Sequence, residues 1–277
     1  MNLPELRAQL QDLQRSWPAQ WPGLIGVVTQ SLHRLKMADS TASQSLNEAT
    51  QSLKDCTLHV AAVIEADGAH KAQSGQEPSY HNRMHISQAL VSLCALMLSQ
   101  RQLTAMPVDS SYVHRELLTL LAMLAHDMFH TGLQNQTSGE IERLAIRELQ
   151  PHLEAFGVSP QDQADIGHII LHTDPTRVPY VHQQCQDMPF DMTDPKFQSL
   201  FAVEADVVAS ALPELGPQLT QLLAQEWAPH YPQAAENLLQ PHARLGFLKH
   251  MALFTSPASR QLGLPELVAW QLENQIT

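Results

Sequence analysis

Two short stretches of this chain place pairs of histidines four residues apart. The first, YHNRMH, contains His81 and His85, and the second, HDMFHTG, contains His126 and His130, with Asp127 directly after His126. Because residues i and i+4 are neighbours on a helix, we expect each pair to share one helix face and to point into one cleft. Imidazole and carboxylate ligands without a thiolate suit a Zn, Mn, Fe, Ni or Mg ion. The spacing therefore indicates a metal site.

Isolated acids in apolar segments favour the same interpretation. Asp127 follows the run LLTLLAMLA (117–125), and Glu204 and Asp206 are the only charges in SLFAVEADVVASAL. Burying a carboxylate is costly unless it is paired or bound to a cation. Taken alone, a histidine on an apolar helix is usually a core residue, and Asp206 is equally explained as an N-cap or an ion-pair partner. Together the four elements favour a metal site over packing.

Composition bounds the fold and the partners of the chain. Its 277 residues are 44% hydrophobic but only 5% aromatic and include just 11 glycines, which suits a helical protein with an aliphatic core. The formal net charge of −12 argues against non-specific nucleic acid and anionic membranes as partners. The longest apolar run, at 117–125, is too short to span a bilayer.

The cysteines and the N-terminal residues predict a cytoplasmic protein. Cys56, Cys94 and Cys185 are few, odd in number and widely spaced, so neither a disulfide framework nor a four-cysteine zinc site is expected. A reducing compartment fits this pattern. The first residues, MNLPELRAQLQDL, are typical of an amphipathic helix and not of a secretory signal.

Apolar residues recur every three or four positions along nearly the whole chain, and almost nothing alternates as a strand does. We therefore predict an all-α fold with ten or more helices, in which residues 1–75 form an N-terminal helical segment packed on a single compact main domain, 76–277. The polar stretch 67–79 and the proline-rich stretch after residue 173 are predicted loops. Helices are predicted at about 3–13, 24–37, 46–66, 81–100, 112–127, 140–156, 161–173, 197–212, 219–227, 234–239, 243–254 and 265–273.

These motifs resemble those of the HD superfamily of metal-dependent phosphohydrolases, and most of all those of the cyclic-nucleotide phosphodiesterase catalytic domain. Its Tyr-His-Asn-x-x-His motif matches residues 80–85, and its His-Asp-x-x-His-x-Gly-x-x-Asn motif matches residues 126–135. Glu142, the segment IILHTD (169–174), Ala205-Asp206 and the Gly-Phe pair at 246–247 match later elements. The resemblance covers about residues 80–254 and implies an all-α, HD-type domain.

The resemblance also implies a role for each matched residue. His85, His126, Asp127 and Asp206 would bind the first of one or two divalent metal ions, and Asp127 would bridge to the second. A hydroxide activated by the metals would attack phosphorus, and His81, which is not a ligand, would protonate the leaving oxygen.

Other matched residues are expected around this centre. His130 would take part in catalysis, and Glu142 with Asn82 would orient the water molecules and the metal ligands from outside the metal's own shell. Contacts to the substrate are implied for four residues: Tyr80, Asn135, Arg244 and Phe247.

Arg244 departs from the family pattern, because the cyclic-nucleotide enzymes have a glutamine two residues before the Gly-Phe pair. They also have an asparagine shortly after the last metal aspartate, which the run VVASALPE after Asp206 lacks. Arginine has no acceptor and cannot pair with a purine edge as an amide does, but it binds carboxylates and phosphates well. We therefore expect a phosphoester whose non-reacting end is anionic or not a purine. A salt bridge is the alternative role for Arg244.

The predicted function is that of a metal-dependent phosphohydrolase, a phosphodiesterase acting on a nucleotide or a related small phosphoester. One alternative is a phosphomonoesterase of the nucleotidase kind. A second is a non-catalytic HD domain that binds metal or nucleotide and regulates a partner, although the intact His81 argues against it. A third is a di-iron oxygenase with His168 and His172 as additional ligands. The expected partner is the small substrate, and a homodimer is left open.

Overall fold

Fourteen α-helices and no strand make up the part of the chain that the computed structural model describes, residues 1–37, 47–104 and 108–276. This confirms the all-α prediction. None of the helices in these ranges combines the length and the apolar character needed to cross a membrane. The helices are α1 (Leu3–Ser16), α2 (Gly23–Arg34), α3 (Glu48–Gln73), α4 (Arg83–Leu103), α5 (Ser110–Ala125), α6 (Glu140–Ala155), α7 (Pro160–His172), α8 (Val178–Cys185), α9 (Pro195–Ala211), α10 (Gly216–Trp227), α11 (Pro232–Leu238), α12 (Pro241–His250), α13 (Pro257–Leu262) and α14 (Leu264–Glu273).

Proline begins helices in this chain more often than it interrupts them. In the described ranges, nine helices carry a proline at one of their first two positions, where its fixed φ and missing N–H are harmless. The prediction of a continuous loop after residue 173 is therefore wrong, since α8 begins there with Pro179 at its second position. Helix α13, which begins at Pro257, is an additional helix for the same reason. Helix α12 ends at His250 and does not continue to Phe254 as predicted.

Helices α4, α5 and α9 form the centre of the molecule. They pack on one another, and the run 117–125 of α5 is buried throughout. Helices α1 and α2 pack on α4, and α3 packs on α5. Apolar residues of α1, α2 and α3 belong to the same hydrophobic core as those of α4, α5 and α9. Helices α1, α2 and α3 therefore share the core of the main domain.

Helix α3 is longer than predicted. Its predicted start, Leu46, lies outside the described residues, and in the described part the helix begins after Asn47, whose side chain accepts a hydrogen bond from the Thr50 N–H. The helix continues to Gln73, so the predicted loop at 67–79 is wrong for its first seven residues. The chain leaves the helix only at Ser74, its C-cap residue.

A close approach between α3 and the start of α4 explains this extension. Gly68 is buried inside α3, and a Cβ added there would lie 2.5 Å from Cδ of Arg83. The Arg83 guanidinium forms ion pairs with Glu65 of α3 and with Glu77 of the following turn. The small residue lets the arginine cross the helix, and the ion pairs hold the first turn of α4 against α3.

Gly68→Ala is expected to lower the free energy of unfolding by about 1–3 kcal/mol, the usual cost of overpacking a closely packed site. The new methyl group would overlap an Arg83 side chain that two carboxylates hold in place. Gly167 of α7 provides the control, because a Cβ there meets only Ile146, at 3.8 Å. Gly167→Ala is expected to be neutral or stabilising by up to about 1 kcal/mol. Thermal unfolding of both variants tests this, and equal Tm values would contradict it.

Candidate metal centre

Four side chains from three parts of the fold meet in the interior. His85 lies in the first turn of α4 and Asp206 lies on α9, while His126 is the C-cap residue of α5 and Asp127 follows it. His85 Nε2 lies 3.3 Å from Asp127 Oδ2 and 3.0 Å from Asp206 Oδ1. His126 Nε2 lies 3.2 and 3.4 Å from the same two oxygens, and 3.4 Å from His85 Nε2. The structure thus brings together all four residues predicted as metal ligands.

The first histidine stretch is a turn followed by a helix, so the prediction that His81 and His85 share a helix is wrong. Helix α4 begins after Asn82, whose Oδ1 accepts hydrogen bonds from the N–H groups of Met84 (2.9 Å) and His85 (3.2 Å). An asparagine at this position satisfies N–H groups that have no partner within the helix. Asn82, predicted to orient the site, therefore fixes the turn between the two histidines.

The second stretch also leaves its helix, so the prediction that His126 and His130 share one is wrong. Helix α5 ends at Ala125, and Phe129 has a φ of 61°, in the left-handed region that a bulky residue rarely adopts. The chain reverses there, and the imidazole of His130 stacks on that of His81 with ring centroids 4.1 Å apart. His81 and His130 consequently form a pair beside the four-residue cluster.

The spacing of His85, His126 and Asp206 fits a shared cation. Ligands about 2.0–2.1 Å from a metal ion, in tetrahedral or octahedral arrangement, lie about 2.8–3.4 Å from their neighbours by simple geometry. The separations among these three ligand atoms run from 3.0 to 3.4 Å. Asp127 Oδ2 lies within 3.3 Å of both imidazoles, but Asp127 does not join the three as a set of ligand atoms that all lie within 4.8 Å of one another.

Unpaired polar atoms point to the same conclusion. Asp127 Oδ2 and Asp206 Oδ1 are buried without a hydrogen-bond partner among the residues that the structure describes. The His126 Nδ1 lies 2.7 Å from the carbonyl oxygen of Met123, which can only accept, so Nδ1 carries a proton. In the neutral ring Nε2 is then a lone pair directed at two carboxylates. Two carboxylates and such a lone pair form a set of acceptors that could hold a cation.

The imidazoles and carboxylates of the cluster shift one another's pKa values. Burial alone would lower the pKa of His85, but the carboxylates of Asp127 and Asp206 raise it to about 9. The pKa of His126 likewise lies well above its ordinary value, because the same carboxylates outweigh burial. Burial would raise the pKa values of the two carboxyl groups, yet the imidazoles hold both below their usual range. Without a metal the cluster therefore favours ionised carboxylates paired with protonated imidazoles.

Glu226 is a site residue that the sequence analysis missed. Its Oε1 lies 2.5 Å from His81 Nδ1, and its Oε2 accepts from the backbone N–H groups of Tyr80 (2.7 Å) and His81 (2.9 Å). Gly132 makes room for it, since a Cβ added there would lie 2.9 Å from Glu226 Cγ. Glu226 is buried and is the only charged residue of α10, the same signal that singled out Asp206. Glu226 lies 145 residues from its partner His81, so no local sequence pattern connects the two.

His81, His130 and Glu226 also satisfy the distance criterion for a metal-binding group. However, the two oxygens of Glu226 already accept three hydrogen bonds, so this group is better explained as a hydrogen-bonded assembly. Burial would raise the pKa of Glu226, but the His81 hydrogen bond and the backbone N–H groups keep it below its ordinary value. Burial and the adjacent His81 lower the pKa of His130 to about 3, so His130 is neutral.

Asn135, Glu142 and Asp174 surround the start of α6. Asn135 Nδ2 donates to Glu142 Oε2 (2.9 Å) and its Oδ1 accepts from the Ile141 N–H (2.7 Å). Both polar ends of Asn135, predicted to contact substrate, are thus bonded to α6. Burial raises the pKa of Glu142. Asp174 accepts a hydrogen bond from Ser138 Oγ (2.6 Å), which ties the turn before α6 to the end of α7.

Arg244 does not present its guanidinium to an anionic substrate, which corrects that expectation. It is 6% exposed and donates to the carbonyl oxygens of residues 210–212 at the end of α9 and to Gln271 Oε1, 3.0 Å away. Carbonyls in a last helical turn lack helical partners, and arginine satisfies them here. Burial lowers its pKa to about 10. The other predicted role for Arg244, a salt bridge, is also absent from the described residues.

A small apolar pocket lies between Tyr80 and Phe247, two predicted substrate contacts. The Tyr80 hydroxyl lies 2.9 Å from Ser210 Oγ, and the Phe247 ring centroid lies 5.6 Å from the Arg244 guanidinium carbon. The pocket has a volume of about 80 Å³ and its other walls are mostly aliphatic. An apolar cavity of about 150 Å³ holds one benzene ring. The pocket therefore suits a group of a few carbon atoms and not a purine.

His168 and His172 lie together on α7, with ring centroids 4.1 Å apart. Among the described residues they join neither group of potential metal-ligating side chains. Burial lowers the pKa of His172 to about 4, and its Nδ1 has no hydrogen-bond partner in the described part of the chain. The structure thus does not bring these histidines to the cluster of His85, His126 and Asp206.

Comparison with known proteins found no relative of this chain. No protein-family model matches the chain, and no curated protein matches it. The interpretation of the site therefore rests on the residues themselves.

Proposed function

We propose that this protein is a metal-dependent phosphoric ester hydrolase, and specifically a phosphodiesterase similar to the enzymes of the HD superfamily. The observation that carries the proposal is the cluster of His85, His126, Asp127 and Asp206 next to a histidine, His81, that is bonded to a carboxylate and not to the cluster. A structural metal site does not need an additional histidine such as His81 outside the cluster. A reaction that requires both a cation and a proton donor does need one.

The four clustered residues would bind one divalent cation, and Asp127 is the residue positioned to share a second. When bound, such a cation polarises a phosphoryl group and makes a water molecule more acidic. The buried carboxylates neutralise the cation and fix its place on the molecule. The low exposure of His85 and His126 excludes bulk water from this side of the site, which strengthens every charge interaction within it.

His81 would supply the proton that the leaving oxygen needs. A carboxylate can only accept, so the His81 Nδ1–H donates to Glu226 and the Nε2 side of the ring is available to the substrate. The carboxylate also fixes the orientation of the ring. The imidazole of His130 stacks on that of His81. Because the lowered pKa of His130 keeps it neutral, it orients the His81 ring without repelling the proton on that ring. Together these contacts hold a proton donor beside the cluster.

Hydrolysis of bis(p-nitrophenyl) phosphate, measured on the protein dialysed against chelator and then reloaded with Mn²⁺, tests the proposal. We expect turnover that depends on the metal and exceeds turnover of p-nitrophenyl phosphate. Faster turnover of the monoester would instead favour a phosphomonoesterase. Metal binding without turnover of either ester would favour a regulatory domain. Iron with a visible absorption band in protein purified without added metal would favour an oxygenase.

Glu226→Gln is expected to lower kcat for an ester with an alkoxide leaving group by about 10–100-fold, the usual cost of removing a group that orients a catalytic residue. The amide keeps the shape of the side chain but can present a donor to His81 Nδ1, so it no longer fixes which ring nitrogen carries the proton. Metal content is expected to stay at the wild-type value, because Glu226 is not among the four clustered ligands. Glu236→Gln, an exposed change on α11, is the control and should leave kcat unchanged. Wild-type kcat in Glu226→Gln would remove Glu226 from the mechanism.

A further inference from the structure

A cavity of about 280 Å³ lies beside the metal cluster, between α1, the first turns of α4 and α10. His85 belongs both to the metal cluster and to the wall of this cavity, and Tyr80 and Leu219 line both this cavity and the small apolar pocket. Its size is close to the range typical of small-molecule sites. The cavity is therefore placed to receive the part of a phosphoester that does not react.

The walls of the cavity combine apolar side chains with polar ones and carry no Asp, Glu, Lys or Arg among the described residues. Three glutamine side chains contribute to them: Gln14 from α1, Gln88 from α4 and Gln218 from α10. An amide offers two donors and an acceptor with two lone pairs. Such a lining matches hydroxyl groups, which both donate and accept, and it supplies no countercharge for an ionic group.

Gln88 and Gln14 are bonded to each other in the wall of this cavity. Gln88 is 1% exposed, and its Nε2 donates to Gln14 Oε1 at 3.0 Å. Its own Oε1 is fully buried without a hydrogen-bond partner in the described part of the chain, so this oxygen does not face the cavity. The bond to Gln88 fixes the Gln14 amide at the cavity wall, where its NH2 group can donate to a ligand.

We propose that this cavity binds an uncharged, polyhydroxylated group, a sugar or a polyol, carried by the phosphoester substrate. The inference rests on the proposed function and specifies its substrate class. The three amides would exchange hydrogen bonds with the hydroxyls, while Trp17, Leu219 and Leu222 cover the C–H surfaces of the ligand. Substrate specificity then depends on Gln14 and Trp17, which lie in the first helix and its C-cap and carry none of the motif residues.

Two esters that differ only in hydroxyl groups test the proposal: glyceryl p-nitrophenyl phosphate and propyl p-nitrophenyl phosphate. Both release p-nitrophenol, so kcat/KM is measured in the same way for each on the Mn²⁺-loaded protein. We expect wild type to prefer the glyceryl ester by about tenfold or more, because a site built for hydroxyls rejects an analogue without them. Gln14→Leu should reduce this preference to about threefold or less, with turnover of the propyl ester unchanged. Gln11→Leu, on the same helix but outside the cavity, should keep the preference.

A binding measurement on the protein without metal gives a second readout. Saturation-transfer NMR with methyl β-D-ribofuranoside should show transfer in wild type and in Gln11→Leu, and none in Gln14→Leu. If the esters are hydrolysed at equal kcat/KM by wild type, or transfer persists in Gln14→Leu, this proposal is wrong although the phosphohydrolase stands. If neither these esters nor bis(p-nitrophenyl) phosphate is hydrolysed, the proposed function fails, and this proposal with it.

Discussion

Asp127→Ala is expected to remove metal binding and to reduce phosphoester hydrolysis to the background rate. Asp127 Oδ2 lies within 3.3 Å of both clustered imidazoles and has no hydrogen-bond partner among the described residues. Without it the cluster retains two imidazoles and one carboxylate, and it loses the residue that we propose to bridge two ions. Metal content after dialysis, measured by plasma mass spectrometry, tests the loss directly.

Thermal unfolding gives an independent measure of the same change. A ligand that binds only the folded protein stabilises it by about 2.7 kcal/mol at a free concentration of 100 times its Kd. Mn²⁺ should therefore raise the Tm of wild type and leave that of Asp127→Ala unchanged. Asp162, which pairs with His114 at 3.1 Å outside the cluster, provides the matched control. Asp162→Ala should keep the metal, the Tm response and the activity, and an Asp127→Ala protein that binds Mn²⁺ normally would exclude the proposed centre.

His81→Ala is expected to retain the metal and to lose about 10²–10⁴ in kcat for an ester with an alkoxide leaving group, the usual contribution of a general acid. His81 is bonded to Glu226 and stacks on His130, and it is not bonded to the oxygens that we propose as metal ligands, so the metal content should not change. An alkoxide needs a proton as it leaves, whereas p-nitrophenolate is stable enough to leave without one. The loss should therefore be much smaller for bis(p-nitrophenyl) phosphate.

Comparing the two leaving groups separates proton donation from a structural role. If His81→Ala slows both esters equally, His81 does not act as the acid. If the metal is lost as well, His81 supports the cluster itself. His114→Ala removes another histidine that is bonded to a carboxylate and should leave both rates at their wild-type values.

The all-α fold was predictable because apolar spacing decides it, and the deviations have local causes. Prolines were interpreted as interruptions, whereas Pro179 and Pro257 lie in the first turns of helices. The predicted loop at 67–79 is half helix because Gly68 packs against Arg83, a contact between residues 15 positions apart that polarity alone does not reveal.

The meeting of the four clustered residues was predictable from residue type and motif, but their surroundings were not. Glu226 lies 145 residues from His81, and no local pattern connects them. Arg244 was expected to bind an anion, and only its hydrogen bonds to the end of α9 show that both of its Nη groups already donate to carbonyl oxygens. The left-handed backbone at Phe129, which separates His130 from His126, is equally invisible to a helical pattern.

The shared core of α1, α2 and α3 with α4 and α5 has a practical consequence for truncation. A fragment that starts at residue 76 would leave in water the apolar sides of α4 and α5 that these three helices now cover. Large exposed apolar patches promote association. Such a fragment would keep every motif residue and yet aggregate during expression, so an inactive short form would say nothing about the chemistry of the intact chain.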